Sequence, residues 1–374
     1  MKNNRTFLEK LLDGAEVEWK PLGKVTDIKT GQSVSKNIIA QNPGIYPVIN
    51  SGREPLGFIN EWNTENDPIG ITTRGAGVGS ITWQEGKYFR GNLNYSVTIK
   101  SEYELNVRFL YHILLHFQKE IHNLCSFTGI PALNASELKK LEIPIPPPSI
   151  QTEIVKILDA LTALTSELTS ELTLRRKQYE YYREKLLSEE ELEKVGFEWK
   201  TLDQISENLD SKRKPITSGL RTSGKIPYYG ASGIVDYVKD YIFDGDFLLI
   251  SEDGANLLAR NTPIAFSVTG KIWVNNHAHI LKFNSYEERR FIEFYLNKID
   301  LTPYISGAAQ PKLNKKNLNS IKIPIPSIPK QQRIVSILDK FETLTNSITE
   351  GLPLAIEQNQ KRYEYYRELL LNFS

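Results

Sequence analysis

The stretch LEIPIPPPSIQTEIVKILD at residues 141–159 returns as IKIPIPSIPKQQRIVSILD at residues 321–339. The two stretches lie 180 residues apart and share ten of their nineteen residues without a gap. A match of this length at a fixed spacing indicates an internal repeat, and a repeat decides how every smaller motif is interpreted. The chain therefore consists of two copies of one structural unit.

The repeat continues on both sides of this stretch. Downstream, RKQYEYYREKLL at residues 176–187 matches QKRYEYYRELLL at residues 360–371 in nine of twelve positions, but the offset has grown to 184. The second copy has therefore gained four residues between the two matches. Upstream, Glu-Trp-Lys at residues 18–20 matches Glu-Trp-Lys at residues 198–200, again at offset 180.

The middle of each copy differs, because ITTRGAGVGSITW at residues 71–83 faces LISEDGANLLARN at residues 249–261 with little beyond a glycine in common. Each copy thus has a variable globular part followed by a shared helical part. The chain also begins with Glu9-Lys-Leu-Leu12, which echoes Glu184-Lys-Leu-Leu187. This echo predicts a circular arrangement, in which the C-terminal helix returns to the N-terminal domain and an approximate two-fold axis relates the copies.

Within the shared part, Ile-Pro-Ile-Pro predicts an extended segment, because consecutive X-Pro units keep the backbone out of the helical region. After it, apolar residues at heptad spacing predict a coiled-coil helix of roughly 35 residues, about 50 Å long. Thr165 and Arg175 interrupt the apolar seam and favour a helix pair fixed in register. The seam positions are Ile154, Leu158, Leu161, Leu168, Leu172, Tyr179, Tyr182 and Leu186.

The helix of the second copy repeats this seam around the four-residue insertion. Gly351 and Pro353 lie at the insertion and predict a kink or a short interruption. The seam positions there are Ile334, Leu338, Phe341, Ile348 and Leu352, followed by Tyr363, Tyr366 and Leu370.

Composition limits the classes of function. The 374 residues carry a net charge of only +1, so overall charge does not indicate nucleic-acid binding and any basic surface has to be local. The single cysteine, Cys125, excludes an intramolecular disulfide and a cysteine zinc cluster. Because the sequence has neither an apolar run of membrane-spanning length nor a signal-peptide core, we expect a cytoplasmic protein without a membrane partner.

The order of variable domain, Ile-Pro-Ile-Pro, long helix and Tyr-Glu-Tyr-Tyr-Arg-Glu end, repeated over essentially the whole chain, resembles the specificity subunits of Type I restriction-modification systems. The most specific strings are QYEYYREKLL at 178–187, RYEYYRELLL at 362–371 and IPYYGASGIVDYV at 226–238. The resemblance implies two target-recognition domains, each reading one half of a bipartite double-stranded DNA target. It also implies that the helices set the spacer and dock methyltransferase subunits.

The resemblance further implies an α+β fold, with two α/β-mixed recognition domains separated by two long antiparallel coiled-coil helices. Two methyltransferase subunits and, in the full complex, restriction subunits would join this chain to direct adenine methylation and restriction. This chain would bind no cofactor, whereas S-adenosylmethionine, ATP and magnesium would belong to the partners. The expected segments are 1–146 for the N-terminal segment and first recognition domain, 147–196 for the central helix and linker, 197–326 for the second recognition domain, and 327–374 for the C-terminal helix.

Candidate DNA contacts lie in the variable middles. Gly75-Ala-Gly77-Val-Gly79 predicts a glycine-rich turn between strands, because its spacing is not G-x-G-x-x-G and no βαβ unit follows. Arg74 at this turn could reach a phosphate or a guanine edge, whereas the acids of residues 251–256 could accept from a cytosine amino group. The candidates are Arg53, Arg74, Arg90, Asn92 and Asn94 in the first domain, and Ser251, Glu252, Asn256, Arg260, Lys271, Asn275, His277 and His279 in the second.

Several of these assignments leave two interpretations open. His277 and His279 either read bases or end a strand. The late lysines are either phosphate contacts or a solvated face; they are Lys139, Lys140, Lys312, Lys315 and Lys316. Tyrosine and arginine are enriched at protein interfaces, so Tyr181, Arg183, Tyr365 and Arg367 are the candidate partner contacts, with a solvated helix face as the alternative.

Catalytic and metal sites are not indicated. His112 and His116 lie four apart on a helix predicted over residues 107–118, but they lack the acidic residue of a His-Glu-x-x-His zinc site and are interpreted as packing or surface residues. The sequence has no Pro-Pro-aromatic loop of an amino-methyltransferase and no Walker A motif, which disfavours a self-sufficient methyltransferase. A structural adaptor that binds only proteins is the other alternative, but divergent domain interiors between shared helices favour DNA reading.

Overall fold

The computed structural model describes residues 7–52, 54–307 and 310–373, apart from the side chains of Phe7 and Glu9. The chain divides into two compact units, one formed by residues 1–168 with 356–374 and the other by residues 169–355. Both boundaries fall inside helices of the shared part. Each unit therefore combines one variable domain with portions of both repeated helical parts.

The first unit is a mixed α/β domain. Its elements are α1 (Phe7–Leu12), β1 (Glu18–Pro21), α2 (Leu22–Val25), β2 (Thr26–Thr30), α3 (Lys36–Gln41), β3 (Pro43–Ile49), β4 (Phe58–Ile59), β5 (Ile69–Thr72), β6 (Ile81–Trp83), β7 (Phe89–Arg90), β8 (Asn94–Ile99), α4 (Val107–His116), α5 (Gln118–Asn123), α6 (Ala135–Leu138), β9 (Glu142–Ile145) and the first part of α7 (Pro148–Leu186).

The second unit follows the same plan from the remainder of α7 onward. Its elements are α8 (Glu189–Glu193), β10 (Phe197–Thr201), α9 (Leu202–Ile205), β11 (Glu207–Asn208), β12 (Ser223–Gly230), β13 (Gly233–Val238), β14 (Phe243–Ser251), α10 (Asn256–Ala259), β15 (Ala265–Val274), β16 (Ala278–Lys282), α11 (Tyr286–Lys298), α12 (Lys315–Asn319), β17 (Lys322–Pro326), α13 (Ile328–Asn346) and the start of α14 (Leu352–Leu371).

The two variable domains share one strand topology although their sequences differ. In the second unit a six-stranded sheet has the order β11-β16-β14-β15-β12-β13, with β12 and β15 parallel. In the first unit the same path is divided into β2-β8-β5-β6 and β4-β3-β7, with β3 and β7 parallel. The ten-residue strand β15 corresponds to the two short strands β6 and β7. The two variable domains therefore repeat the same strand topology, although their side chains differ.

The Ile-Pro-Ile-Pro stretch forms β9 in the first unit and β17 in the second, so the predicted extended conformation is confirmed. β9 pairs with β1 so that Pro144 lies opposite Trp19, and β17 pairs with β10 so that Pro324 lies opposite Trp199. Proline is tolerated because each strand of a two-stranded ribbon has a free edge, where a missing N–H breaks no ladder hydrogen bond.

A glutamine and an aspartate of the repeated stretch connect each variable domain to its helix. The buried Gln151 donates to the carbonyl oxygen of Pro146 at 2.8 Å, and Gln331 makes the equivalent bond in the second unit. Asp159 accepts from Arg108 Nε at 2.8 Å and contacts His112 Nε2 at 2.8 Å. His112 is 1% exposed, so its interpretation as a packing residue is confirmed.

The second unit repeats this ion pair with different partners. Asp339 accepts from Arg290 through Nε at 3.0 Å and Nη2 at 2.8 Å. Arg290 is 8% exposed and also pairs with Glu293 at 2.7 Å and with Glu342. In both units the aspartate that ends the repeated stretch therefore receives an arginine from the helix that covers the sheet.

In the first unit the C-terminal helix packs on the first part of α7. Asn359 is 2% exposed, and its amide donates to Leu161 O and Thr165 Oγ1, both at 2.8 Å. Leu370 and Leu371 are fully buried in the core of this unit. The predicted return of the C-terminal helix to the N-terminal domain is therefore confirmed, and Thr165 interrupts the seam by making a polar contact.

The helix of the second copy is interrupted where the insertion lies. α13 ends at Asn346 and α14 begins at Leu352, whereas α7 runs through 39 residues without a break. Gly351 has φ +88°, and a Cβ there would lie 2.5 Å from Thr343 O, so glycine is required. The predicted interruption is confirmed. The assignment of Ile348 to the seam is wrong, because the residue lies in the turn and is 77% exposed.

We predict that Arg290→Met lowers the free energy of unfolding by about 3 kcal/mol, because Asp339, Glu293 and Glu342 would lose the cation they share. Urea denaturation of the variant and of the parent chain measures this. Burial raises the pKa of Glu342, so this carboxyl protonates early as the pH falls and the difference is expected to shrink in acid. Arg333→Met, which removes an exposed arginine of α13, the helix that carries Asp339 and Glu342, is the control and should change stability by less than about 0.5 kcal/mol. Equal losses for the two variants would contradict the prediction.

Candidate nucleic-acid interface

Three loops of the first unit meet at the ends of β5 and β8 and form the first three-loop site, which comprises residues 73–75, 91–93 and 131–133. The loop of residues 73–75 is hydrogen-bonded through its backbone to both of the other loops. Thr73 N donates to Leu93 O at 2.9 Å, and Leu133 N donates to Thr73 O at 2.8 Å. Gly75 N completes the pattern by donating to Pro131 O at 2.9 Å. Backbone bonds alone therefore fix the position of Arg74 between them.

The second unit has the same arrangement in its second three-loop site, which comprises residues 252–254, 275–277 and 311–313. Glu252 N donates to His277 O at 2.9 Å, and Leu313 N donates to Glu252 O at 2.8 Å. Gly254 N donates to Pro311 O at 3.1 Å. This pattern makes Asp253 the counterpart of Arg74.

The comparison corrects the alignment by one residue. Aligned without a gap, residues 71–83 and 249–261 place Arg74 opposite Glu252. The antiparallel bridges instead pair Arg74 with Ala132 and Asp253 with Lys312. Thr72 ends β5 and Ser251 ends β14, so the offset between the two copies is already 179 at the strand ends, whereas the ungapped alignment uses 178.

The first three-loop site is open to solvent on the side of Arg74. The side chain of Arg74 is exposed and forms no hydrogen bond or ion pair with any other described residue. Gly75 and Gly79 have positive φ, which confirms the predicted glycine-rich turn between β5 and β6. No atom would lie within 4 Å of a Cβ on Gly75, so another backbone can approach there. Asn92 is also exposed.

Arg90 and Asn94, two other candidates, are buried at 3% and 0% exposure. The Arg90 guanidinium donates to the carbonyl oxygens of Ile69, Asp67 and Tyr95 at 2.8–3.1 Å and to Asn94 Oδ1 at 2.6 Å. Burial lowers the pKa of Arg90. Its contacts join β5 to β8, so both residues hold the sheet together and are not offered to a ligand. The remaining candidate of this domain, Arg53, lies outside the described residues.

Charged side chains in the second three-loop site are paired with one another. Asp253 contacts His277 Nδ1 at 2.8 Å, and the His277 side chain is 51% exposed. Glu252 accepts from Arg213 Nη1 at 2.6 Å and lies 3.3 Å from Lys312 Nζ. The acids that would repel a phosphate are therefore accompanied by three basic side chains.

His279, a candidate base reader, is fully buried beneath this site. Its Nδ1 lies 2.6 Å from Asp210 Oδ2 and its Nε2 lies 2.7 Å from Leu313 O. Burial raises the pKa of Asp210, but the bonds from His279 and from Ile280 N leave it below its usual value. His279 thus connects β16 to the loop of Leu313 and supports the site from below.

The other candidates of the second domain hold loops in place. Ser251 is buried and donates to Ala231 O, and the buried Asn275 accepts from His277 N at 2.8 Å. Asn256 bridges its loop by bonding both N and O of Thr262. Arg260 donates to Ile299 O at 2.6 Å, away from the site. Lys271 is exposed on β15, over the ring of Tyr241 at 4.7 Å.

The candidate partner contacts repeat their geometry in the two helices. Tyr181 is 57% exposed and packs edge-on against Tyr182 at 5.3 Å, while Tyr365 is 63% exposed and packs against Tyr366 at 5.4 Å. The arginine near each tyrosine pair forms an ion pair with an adjacent glutamate, Arg183 with Glu184 and Arg367 with Glu368. Each helix therefore presents an exposed tyrosine at the equivalent position.

A second short repeat in the sequence also marks the three-loop sites. Pro131-Ala-Leu133-Asn134 recurs as Pro311-Lys-Leu313-Asn314 at offset 180. These segments supply the third loop of each three-loop site. Asn314 also begins α12, where its side chain accepts from Asn317 N at 2.9 Å.

The described residues also bear on metal binding and on membrane insertion. Among them, no group of three or more histidine, cysteine, aspartate or glutamate side chains is placed to hold a metal ion. In the same part of the chain, no helix combines the length and the apolar character that a membrane span needs.

Comparison with known proteins places both copies in one family. Residues 15–174 and 194–358 each match the model of the Type I restriction modification DNA specificity domain. The chain is 42% identical to the putative type I restriction enzyme specificity subunit S.HindORF215P of Haemophilus influenzae, over 100% of both chains. It is 34% identical to the EcoR124I/EcoR124II specificity subunit of Escherichia coli, over 98% of this chain and 97% of that one.

A solved structure shares the fold. The crystal structure of a Type I restriction-modification S subunit from M. genitalium superimposes with a TM-score of 0.67 at 22% identity, over 97% of this chain and 98% of that one. The two matched domains, the full-length relatives and this fold agree. The chain belongs to the specificity subunits of Type I restriction-modification systems, which are non-catalytic.

Proposed function

We propose that this chain reads a bipartite DNA target, with one recognition domain for each half-site. The observation that carries the proposal is the pair of three-loop sites, which keep one backbone hydrogen-bond pattern and present different side chains. In DNA readers, base edges are distinguished by side chains, while contacts to the phosphates position the protein. Arg74 and Asn92 are the proposed contacts of the first domain, and His277 with the neighbouring acids those of the second. The exposed lysines are the proposed phosphate contacts; they are Lys139, Lys140, Lys271, Lys312, Lys315 and Lys316.

The helices are proposed to dock methyltransferase subunits and to set the spacer between half-sites. Tyr181 and Tyr365 are exposed aromatic residues at equivalent positions of the repeat. Exposed tyrosines close to arginines are the composition that protein interfaces favour. Because the chain carries the surface twice, it would bind two methyltransferase subunits, with restriction subunits added in the full complex. S-adenosylmethionine, ATP and magnesium would be bound by those partners.

The function is tested by mixing the purified chain with its methyltransferase subunit and sequencing the methylated adenines in a DNA library. We expect no methyl transfer by the chain alone, because specificity subunits are non-catalytic, and methylation of one split motif by the mixture. Methylation by the rigorously purified chain alone would refute the assignment of methyl transfer to the partner subunit. A stable complex that methylates without sequence preference would support the adaptor alternative instead.

Exchange of one variable domain should change one half-site. Residues 20–140 begin on β1 and end just before β9, and these strands pair so that Lys20 lies opposite Ile143. The two junctions are therefore close together, and replacing the segment with that of another specificity subunit leaves the helices intact. We expect the first half of the motif to change while the second half and the spacer stay the same. A change in both halves would show that the domains do not read independently.

The spacer should depend on the insertion in the second helix. Deleting Gly351–Leu354 removes about 6 Å of helix length at 1.5 Å per residue and leaves α13 and α14 free to join into one helix like α7. We expect both half-sites to be kept and the preferred spacer to change, or activity to be lost if the partners no longer dock. Ile348→Ala is the matched control, since it changes an exposed side chain of the same turn without changing the chain length. A deletion variant with full activity and the original spacer would show that the length of this helix does not set the spacer.

A further inference from the structure

The two three-loop sites differ in one respect that bears on which bases are read. The backbones of the two sites form equivalent hydrogen bonds, so residues 74 and 253 occupy equivalent positions in their domains. At that place the first domain has an arginine and the second an aspartate. One side chain can only donate hydrogen bonds and the other, when ionised, can only accept them.

We propose that Arg74 and Asp253 each select one base pair of their half-site, Arg74 by donating to a guanine and Asp253 by accepting from a cytosine amino group. The inference rests on the proposed function and adds to it the chemical identity of one position in each half. Guanine presents two acceptors, N7 and O6, in the major groove, and cytosine presents its N4 amino donor there. The first site would thus recognise hydrogen-bond acceptors on a base, and the second site a hydrogen-bond donor.

Arg74 satisfies the requirements of a base reader. Its side chain is exposed and makes no hydrogen bond or ion pair within the described part of the chain, so its donors need no internal partner to be broken before binding. The neighbouring Gly75, with φ +93° and open space at its Cβ position, allows close approach of the DNA. Arg90 is also basic, but its guanidinium already donates hydrogen bonds to internal carbonyl groups.

Asp253 needs help to face a polyanion, and the site supplies it. His277 Nδ1, 2.8 Å away, holds the carboxylate, which is 32% exposed and keeps free lone pairs. The residue that pairs with position 253 across the antiparallel bridge is Lys312, whereas the residue that pairs with Arg74 is Ala132. An acid in place of the arginine is therefore accompanied by a new cation directly opposite, which offsets repulsion from the phosphates.

The test uses the full chain in complex with its methyltransferase subunits and a DNA library randomised at both half-sites. Arg74→Gln and Asp253→Asn both introduce an amide, which pairs best with adenine through N6 and N7. We expect each variant to change one position of its own half-site, with discrimination for the original base falling about 10- to 100-fold in favour of adenine. The other half-site and the spacer should be unchanged.

Controls separate base selection from structural effects. Arg74→Lys and Asp253→Glu keep the hydrogen-bond polarity and should keep the base, even at reduced activity. Lys225→Gln removes an exposed charge of β12, outside both three-loop sites and outside the proposed phosphate contacts, and should leave the motif unchanged. If the complex with the parent chain methylates a split motif but Arg74→Gln and Asp253→Asn leave every position of it unchanged, or lower methylation uniformly, the inference is overturned while the proposed function stands. Absence of any split motif with the parent chain would instead overturn the proposed function.

Discussion

The ion pair between the aspartate at the end of the repeated stretch and an arginine of the variable domain determines where each recognition domain sits on its helix. Asp159 receives Arg108, and Asp339 receives Arg290, in a setting where the arginines are mostly buried. Such pairs add little net stability, since the cost of removing both charges from water offsets their attraction. Their value is geometric, because any other placement would leave a charge without its partner. Each variable domain is therefore held at one position on its helix.

A fixed backbone also explains how two variable domains can share one fold and present different side chains. In each three-loop site the main chain satisfies its own hydrogen bonds, so the side chain at position 74 or 253 is not needed to hold the loops. Support comes instead from buried polar residues below, Arg90 and Asn94 in the first unit and His279 with Asp210 in the second. These two supports are chemically unrelated yet maintain the same loops. Exposed positions can therefore differ without loss of the fold.

The sequence predicted those features that depend on local chemistry or on repetition. Ile-Pro-Ile-Pro is extended because of proline, and Gly351 interrupts its helix because only glycine fits there. The sequence could not show that Arg90 is buried, because its acceptors are carbonyl groups up to 23 residues away in other loops and strands. Basic and amide residues in a variable segment look alike whether they face DNA or a carbonyl group. Only the folded structure shows that Arg74 is exposed and that Arg90 is buried.

The alignment error at Arg74 has a related cause. Sequence comparison counts residues, whereas a strand end is defined by its hydrogen-bond partners, and these pair Arg74 with Ala132 and Asp253 with Lys312. The Pro-x-Leu-Asn segments supply the partner for both positions, but they match at an offset of 180, so only the hydrogen bonds show that Arg74 corresponds to Asp253.

Polar residues in the helix seams make the two halves of the repeat distinguishable. Asn359 donates to Leu161 O and Thr165 Oγ1 in the first unit, while its counterpart 184 residues earlier, Arg175, turns to Glu171 at 2.7 Å in the second. A buried amide loses its hydrogen bonds opposite an apolar or mismatched partner, and such a loss costs about 1–3 kcal/mol. Repeated helices that were identical could pair in either combination, with each copy closing on itself. The difference between Asn359 and Arg175 disfavours that exchange, so the seam that resembles a simple repeat in sequence also specifies which helical parts belong together.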